Sequence, residues 1–159
     1  MAQFIYLSRE GYEKLKKELE ELKSVKRPEI AQKISDARDF GDLRENAEYA
    51  AAKEAMAHLE ARISKLEETL RRAKIINKKD IDGNQVSIYT TVHLKDLNRG
   101  GEVKYTLVSQ EEANFRENKI STNSPVGKAL LGKKKGEEVE IRVPAGILKY
   151  EIKDIETVL

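Results

Sequence analysis

The sequence predicts an α+β protein: an N-terminal antiparallel coiled-coil helical hairpin over residues 1–76, then a small antiparallel β domain with one short helix over residues 77–159. Three observations carry this reading. Apolar or small residues recur at alternating steps of three and four from Tyr49 to Ala73, the period of a coiled-coil seam. A short glycine-containing bend precedes that run. After Lys74 the pattern changes to β-branched stretches punctuated by glycine and proline.

The second helix is the clearer of the two. Tyr49, Ala52, Met56, Leu59, Ile63, Leu66, Leu70 and Ala73 form its seam, and the intervening positions are rich in the good helix formers Ala, Glu, Lys and Arg. The first helix carries Tyr12, Leu15, Leu19 and Leu22, then Ile30, Ile34 and Ala37, so its register slips by one residue near Pro28. Proline lacks an amide donor and crowds the preceding turn, which predicts a kink or a restart there. Between the helices lies Asp39-Phe40-Gly41-Asp42-Leu43, where Gly41 suits a helix-terminating residue and Asp42 suits the next helix cap. So short a connection makes the helices antiparallel neighbours. From Arg9 to Phe40 the arm is on the order of 45–50 Å long.

In the second half, Asp82-Gly83-Asn84 signals a turn within the polar linker Ile75–Gln85, and Val86–Leu94 reads as a strand. Gly100-Gly101 marks a hairpin turn before a strand over Glu102–Val108. Ser124-Pro125, followed by an apolar run closing at Gly132, reads as a capped helix with proline at its first position. Two further strands, Glu137–Val143 and Ile147–Ile155, flank Pro144-Ala145-Gly146.

Composition removes several function classes. Charged residues make up 36% of the chain, yet 30 Lys and Arg nearly balance 28 Asp and Glu, the mixed-sign pattern of solvated helix faces. A net charge of +2 offers no global argument for nucleic acid, so any such contact must come from a local patch. The absence of cysteine excludes disulfides, thiolate catalysis and zinc-finger chemistry. No signal-peptide pattern opens the chain and no apolar run reaches membrane-spanning length, which predicts a soluble, cytoplasmic protein without a membrane partner. Neither His58 nor His93 has a companion that suggests a metal or catalytic site. The basic Gly132-Lys-Lys-Lys-Gly136 lacks phosphate-loop spacing and reads as a charged turn.

The bend is the informative stretch. Asp36, Asp39, Asp42, Glu45 and Glu48 crowd residues 36–48. One reading is structural: Asp42-Leu-Arg-Glu45 has the form of a capping box, and acidic residues in a first turn favour the helix dipole. The other is chemical. Asp42 and Glu45 share one face of a turn, where two carboxylates suit a hard cation such as Mg2+ that keeps several waters. Such a pair is too sparse for a closed site and would complete one that a partner half-builds. The two readings are compatible. Arg38 and Lys53 flank the tip, either as ordinary solvated charge or as a basic patch that steers a phosphate backbone.

The tip segment Gly41-Asp-Leu-Arg-Glu-Asn-Ala-Glu-Tyr49 resembles the signature of the Gre family of bacterial transcript-cleavage factors. Leu22-Lys-Ser-Val-Lys-Arg-Pro-Glu-Ile30, and Ile120-Ser-Thr-Asn-Ser-Pro125 with Leu131-Gly132, extend the resemblance along the whole chain in collinear order. One departure is Ala50, where many relatives place a histidine after the tyrosine. The resemblance implies an FKBP-like C-terminal domain that docks at the rim of the RNA polymerase secondary channel while the hairpin passes down it. It assigns catalytic and metal roles to Asp42 and Glu45, which would help bind a Mg2+ shared with the polymerase active site and not held tightly by the free protein. It assigns contact with the backtracked 3′ end of the nascent RNA to Arg38 and Lys53, and polymerase docking to Ser121, Asn123, Ser124 and Pro125. The implied function is a transcription elongation factor, monomeric when free. It stimulates the polymerase's own RNA cleavage and is not itself an enzyme. A channel-occupying inhibitor of the same architecture is the alternative, and a prolyl isomerase or chaperone is a third reading on fold analogy alone.

Overall fold

The computed structural model describes residues 3–39 and 43–159, with side chains from residue 47 onward in the second stretch. The chain divides into two compact units. One comprises residues up to Phe4 together with Tyr12–Ala73, and the other comprises Ile5–Gly11 with Lys74–Leu159.

The first unit is a helical hairpin. Helix α1 (Arg9–Glu21) continues through a π-helical turn at Leu22–Lys26 into α2 (Arg27–Arg38), and α3 (Leu43–Arg71) returns. The register slip near Pro28 is resolved without a break. Backbone angles at Glu21 and Arg27 stay helical, and the Arg27 N–H donates to the Leu22 carbonyl, five residues back. One extra residue is thereby accommodated inside a continuous helix, which is what a π-turn does. Pro28 sits at the start of α2, just beyond the residue whose hydrogen bond has changed partner, so its missing donor falls where the ladder is already irregular.

The seam follows the expected spacing. Ala52, Leu59, Ile63 and Leu66 are buried on α3, and Tyr49, Met56 and Leu70 are half-buried, with mostly exposed residues between them. The last expected seam position, Ala73, falls past the end of the helix at Arg71 and opens a short strand instead. On the opposing helices Leu15 and Ala37 are buried, and Leu19, Leu22, Ile30 and Ile34 are half-buried. Ion pairs show the direction of packing. Lys23 pairs with Glu67 at 3.3 Å, and Arg27, four residues on, pairs with Glu60, so partners fall in number as the first helix rises. The helices are therefore antiparallel. Two of the pairs are bidentate: Arg27 grips Glu60 at 2.8 and 2.9 Å, and Arg62 grips Glu18 at 2.9 and 3.0 Å. Partly exposed pairs of this kind specify register more than they add stability.

The second unit is built on a sheet. Strand β1 (Ile5–Leu7) pairs with β2 (Ala73–Ile75) in a two-stranded ribbon. The main sheet contains β3 (Thr90–Asp96), β4 (Glu102–Val108), β5 (Lys119–Ser121), β6 (Glu138–Val143) and β7 (Gly146–Thr157), in the order β5-β4-β3-β7-β6. Pairing is antiparallel from β4 across to β6, and β5 adds a parallel edge beside β4. Helix α4 (Pro125–Leu130) begins as the sequence predicts: the Ser124 hydroxyl accepts the Gly127 N–H, with proline in the first turn. Val86, Val92, Leu94, Leu107, Leu130, Val139, Ile141, Tyr150 and Ile152 form the core.

Two local features differ from the sequence reading. The strand expected over Val86–Leu94 begins only at Thr90, because Tyr89 adopts a left-handed φ of 64° that no strand residue uses. Val86 still reaches the core, held by hydrogen bonds to the α4–β6 connection at Gly132 and Lys133. The ribbon strands β1 and β2, at three residues each, are too short for any alternation to announce them.

Candidate functional site

The tip is framed by the ends of two helices. Helix α2 closes at Arg38, and the Asp39 N–H donates to the Asp36 carbonyl at 3.3 Å. Helix α3 opens at Leu43, which makes Glu45 its third residue. Phe40, Gly41, Asp42 and the Glu45 side chain lie outside the described residues. Of the remaining tip carboxylates, Asp36 accepts a hydrogen bond from Gln32 at 2.8 Å, while Asp39 and Glu48 are exposed. Among the described residues no cluster of three or more His, Asp or Glu side chains gathers as metal ligands.

Arg38 and Lys53 are both exposed, and each follows a buried alanine of the seam, Ala37 on α2 and Ala52 on α3. The Lys53 ammonium lies 5.4 Å from the centroid of the Tyr49 ring, one turn earlier on the same helix. That cation–π contact holds a flexible side chain in one direction without neutralising it.

The loop from Ser121 to Pro125 is built around its two serines. The Ser121 hydroxyl accepts the Asn123 N–H at 2.9 Å, and the Ser121 carbonyl accepts the Ser124 hydroxyl at 2.6 Å and the Ser124 N–H at 3.0 Å. The Ser124 hydroxyl then accepts the Gly127 N–H at 3.1 Å and caps α4. A Cβ at position 127 would run into the Ser121 carbonyl oxygen, so only glycine fits there. The four residues singled out in the sequence thus divide by job. Ser121 and Ser124 shape the loop, and Asn123 and Pro125 are exposed on it.

Residues 5–75 match the family described as transcription elongation factor, N-terminal, and residues 81–157 match the family described as transcription elongation factor, GreA/GreB, C-term. The chain belongs to the GreA/GreB family. It is 54% identical over 156 residues to transcription elongation factor GreA of Chloroherpeton thalassium, covering 98% of this chain and 99% of that one. It is 52% identical to the GreA proteins of Flavobacterium johnsoniae and Thermoanaerobacter pseudethanolicus, in each case over 98% of this chain and at least 98% of the relative. A solved structure of the transcription factor Gfh1 is 32% identical, covers 98% of this chain and 99% of that one, and has a TM-score of 0.47.

In this GreA/GreB chain the sequence reading missed a polar cluster in the second unit. The Glu112 carboxylate accepts hydrogen bonds from the hydroxyls of Ser8 and Tyr89, and from that of Ser109 at 3.0 Å. The Ser8 hydroxyl in turn accepts the Gly11 N–H at 3.0 Å and caps α1. Gly11 has no room for a Cβ because the Glu112 carboxylate occupies that space. Burial, and then the hydrogen bond to Glu112, pushes the Tyr89 hydroxyl well above the ordinary tyrosine range. The only local signal was Ser8 three residues before Gly11. Its carboxylate partner lies 104 positions away.

Among the described residues no helix is long and apolar enough to cross a membrane.

Proposed function

We propose that this GreA/GreB-family chain enters the secondary channel of bacterial RNA polymerase and stimulates the polymerase to hydrolyse its own backtracked transcript. The observation that carries the reading is a narrow, ion-pair-laced hairpin whose bend bears Gly41-Asp-Leu-Arg-Glu-Asn-Ala-Glu-Tyr49 in a chain matched to the family over both halves. A 29-residue α3 is about 43 Å long.

In this reading Asp42 and Glu45 bring negative charge to a polymerase site that already holds its own ligands. A second Mg2+ there would activate water and stabilise the leaving oxygen of a phosphodiester. The chain's own contribution is to supply and orient the two carboxylates. Arg38 and Lys53 neutralise phosphates of the extruded 3′ segment and keep it beside the tip. Asn123 and Pro125 touch the channel rim, on a loop whose shape Ser121 and Ser124 maintain. The factor supplies part of a site and is not an enzyme alone. The intact Asp42-Leu-Arg-Glu45 favours a cleavage factor over an occluding inhibitor.

The test is a purified backtracked elongation complex. Adding the protein should release a 3′ RNA fragment and restore extension, and the protein without polymerase should leave the same RNA intact. Slowed extension with no fragment released would establish the inhibitor instead.

A further inference from the structure

We infer that Phe115 is a second docking anchor, seated in an apolar, acid-rimmed notch of the same polymerase that the Ser121–Pro125 loop contacts. This inference rests on the docking role proposed above for that loop. Phe115 is 87% exposed, far more than any other large apolar residue described. A single exposed apolar residue is unremarkable on a mobile loop. This one sits on a braced turn.

The bracing is extensive. Phe115–Glu117 form a 3-10 turn capped by Asn114, whose side chain accepts the Arg116 N–H at 3.1 Å. Asn114 and Lys119 exchange backbone hydrogen bonds at 2.9 and 3.0 Å and so close the base of the turn. Asn118 takes a left-handed φ of 57°, donates to the Phe115 carbonyl, and accepts from the Thr106 N–H on β4 at 2.9 Å. The ring is therefore presented outward by a backbone clipped to the sheet. Little backbone freedom is left to lose on binding, which is what distinguishes an anchor from a tail. Aromatic anchors of this kind dominate interface energetics when a partner pocket dries them.

Position supplies the partner. Asn118 joins the turn to β5, and Ser121, the last residue of β5, opens the docking loop. The three residue steps from Asn118 to Ser121 span about 10 Å, well inside the footprint of a standard interface. Charge narrows its chemistry. Glu117 pairs with Lys119 at 3.0 Å, and among the described residues no carboxylate pairs with Arg116. The knuckle therefore shows a phenyl ring beside an unneutralised cation, which fits an apolar notch with an acidic rim.

The experiment measures polymerase affinity by competition for Phe115→Ser, Phe115→Leu and Asn123→Arg, with cleavage at saturating factor and sedimentation of the free protein alongside. Phe115→Ser should weaken binding about tenfold, Phe115→Leu should retain most of it, and saturated cleavage should match the parent. Undiminished binding by Phe115→Ser, with Asn123→Arg still weakened, would overturn the anchor and leave the loop reading intact. Undiminished binding by both would overturn the loop reading and the anchor together. A parent that self-associates through Phe115, with polymerase affinity unaffected by Phe115→Ser, would assign the ring to a second copy of the chain and also overturn the anchor.

Discussion

Lys53 is held 5.4 Å from the centre of the Tyr49 ring, so this exposed base of α3 has a direction of its own. Its charge remains available, since a ring quadrupole attracts a cation without cancelling it. Charge reversal at Arg38 and Lys53 together should therefore cut transcript cleavage about tenfold at low salt, with a smaller effect on polymerase binding. Raising ionic strength should narrow the gap from the parent, because exposed charges are screened. Tyr49→Leu, which frees Lys53 without discharging it, should fall between the two. Cleavage rates on a backtracked complex at two salt concentrations read this directly. An unaltered rate for the double reversal at low salt would return both residues to the role of solvated surface.

The hairpin should be sensitive at the seam and tolerant at the π-turn. Leu66 is 2% exposed in the middle of the buried α3 stripe, and Leu66→Ala should cost about 2–5 kcal/mol. Val25 lies in the π-turn with nearly half its surface in water, and Val25→Ala should change stability by less than about 0.5 kcal/mol. Urea titrations of the two variants check the contrast. Equal losses would mean that Val25 packs in a way its exposure conceals.

The docking loop should fail when its scaffold fails. Gly127→Ala drives a methyl group into the Ser121 carbonyl oxygen, a backbone atom that cannot step aside. Overpacking of this kind costs about 1–3 kcal/mol and should displace the loop from α4. Polymerase affinity should fall although residue 127 is itself buried. By contrast Asn123→Arg should weaken binding with the melting temperature unchanged, since Asn123 is exposed and its backbone carries the loop's hydrogen bond.

Tyr89 gives the second unit a limit at alkaline pH. Its hydroxyl is buried and donates to Glu112, so its folded pKa lies above the unfolded value of about 10. A raised folded pKa contributes stability that is fully present below the unfolded pKa and is lost as pH rises through the folded one. Stability should thus decline from about pH 10 upward, and Tyr89→Phe should flatten that decline. At neutral pH the same variant should cost about 1–3 kcal/mol, because a hydrogen bond to a carboxylate is removed. Denaturant midpoints across pH 7–11 distinguish this from a general alkaline effect, which would leave parent and Tyr89→Phe parallel.

What was legible in the sequence was what is local or periodic. The seam from Tyr49 to Leu70, the Ser124-Pro125 helix start and the Gly100-Gly101 turn depend on neighbours within a turn or two, and all three are present. Tyr89 defeated the strand reading because a β-branched, aromatic stretch says nothing about one residue whose hydroxyl is claimed by Glu112 and whose backbone turns left-handed to reach it. The parallel strand β5 was equally hidden, since three residues at a sheet edge carry no alternation. The serine pair that shapes the docking loop was visible as residues, but the division between Ser121 and Ser124 as scaffold and Asn123 and Pro125 as surface needed the hydrogen bonds. The tip carboxylates Asp42 and Glu45 stand on sequence alone.

Those two carboxylates can be separated into cap and cation ligand by isosteric exchange. Asp42→Asn keeps an N-cap acceptor and Glu45→Gln keeps a capping-box partner, so helix content and melting temperature should change little. Each change removes a negative charge, and a neutral amide is a much poorer ligand for a hard divalent cation. If the pair only begins α3, both variants should stimulate cleavage like the parent. If the pair completes a site with the polymerase, cleavage should collapse while binding persists, and each variant should compete with the parent protein for the same complex. Raising Mg2+ should partly restore Asp42→Asn, because mass action offsets a weakened site that still retains Glu45. The double variant should resist that rescue. Normal cleavage by the double variant at low Mg2+ would end the catalytic reading of the tip and leave Asp42-Leu-Arg-Glu45 as a helix start alone.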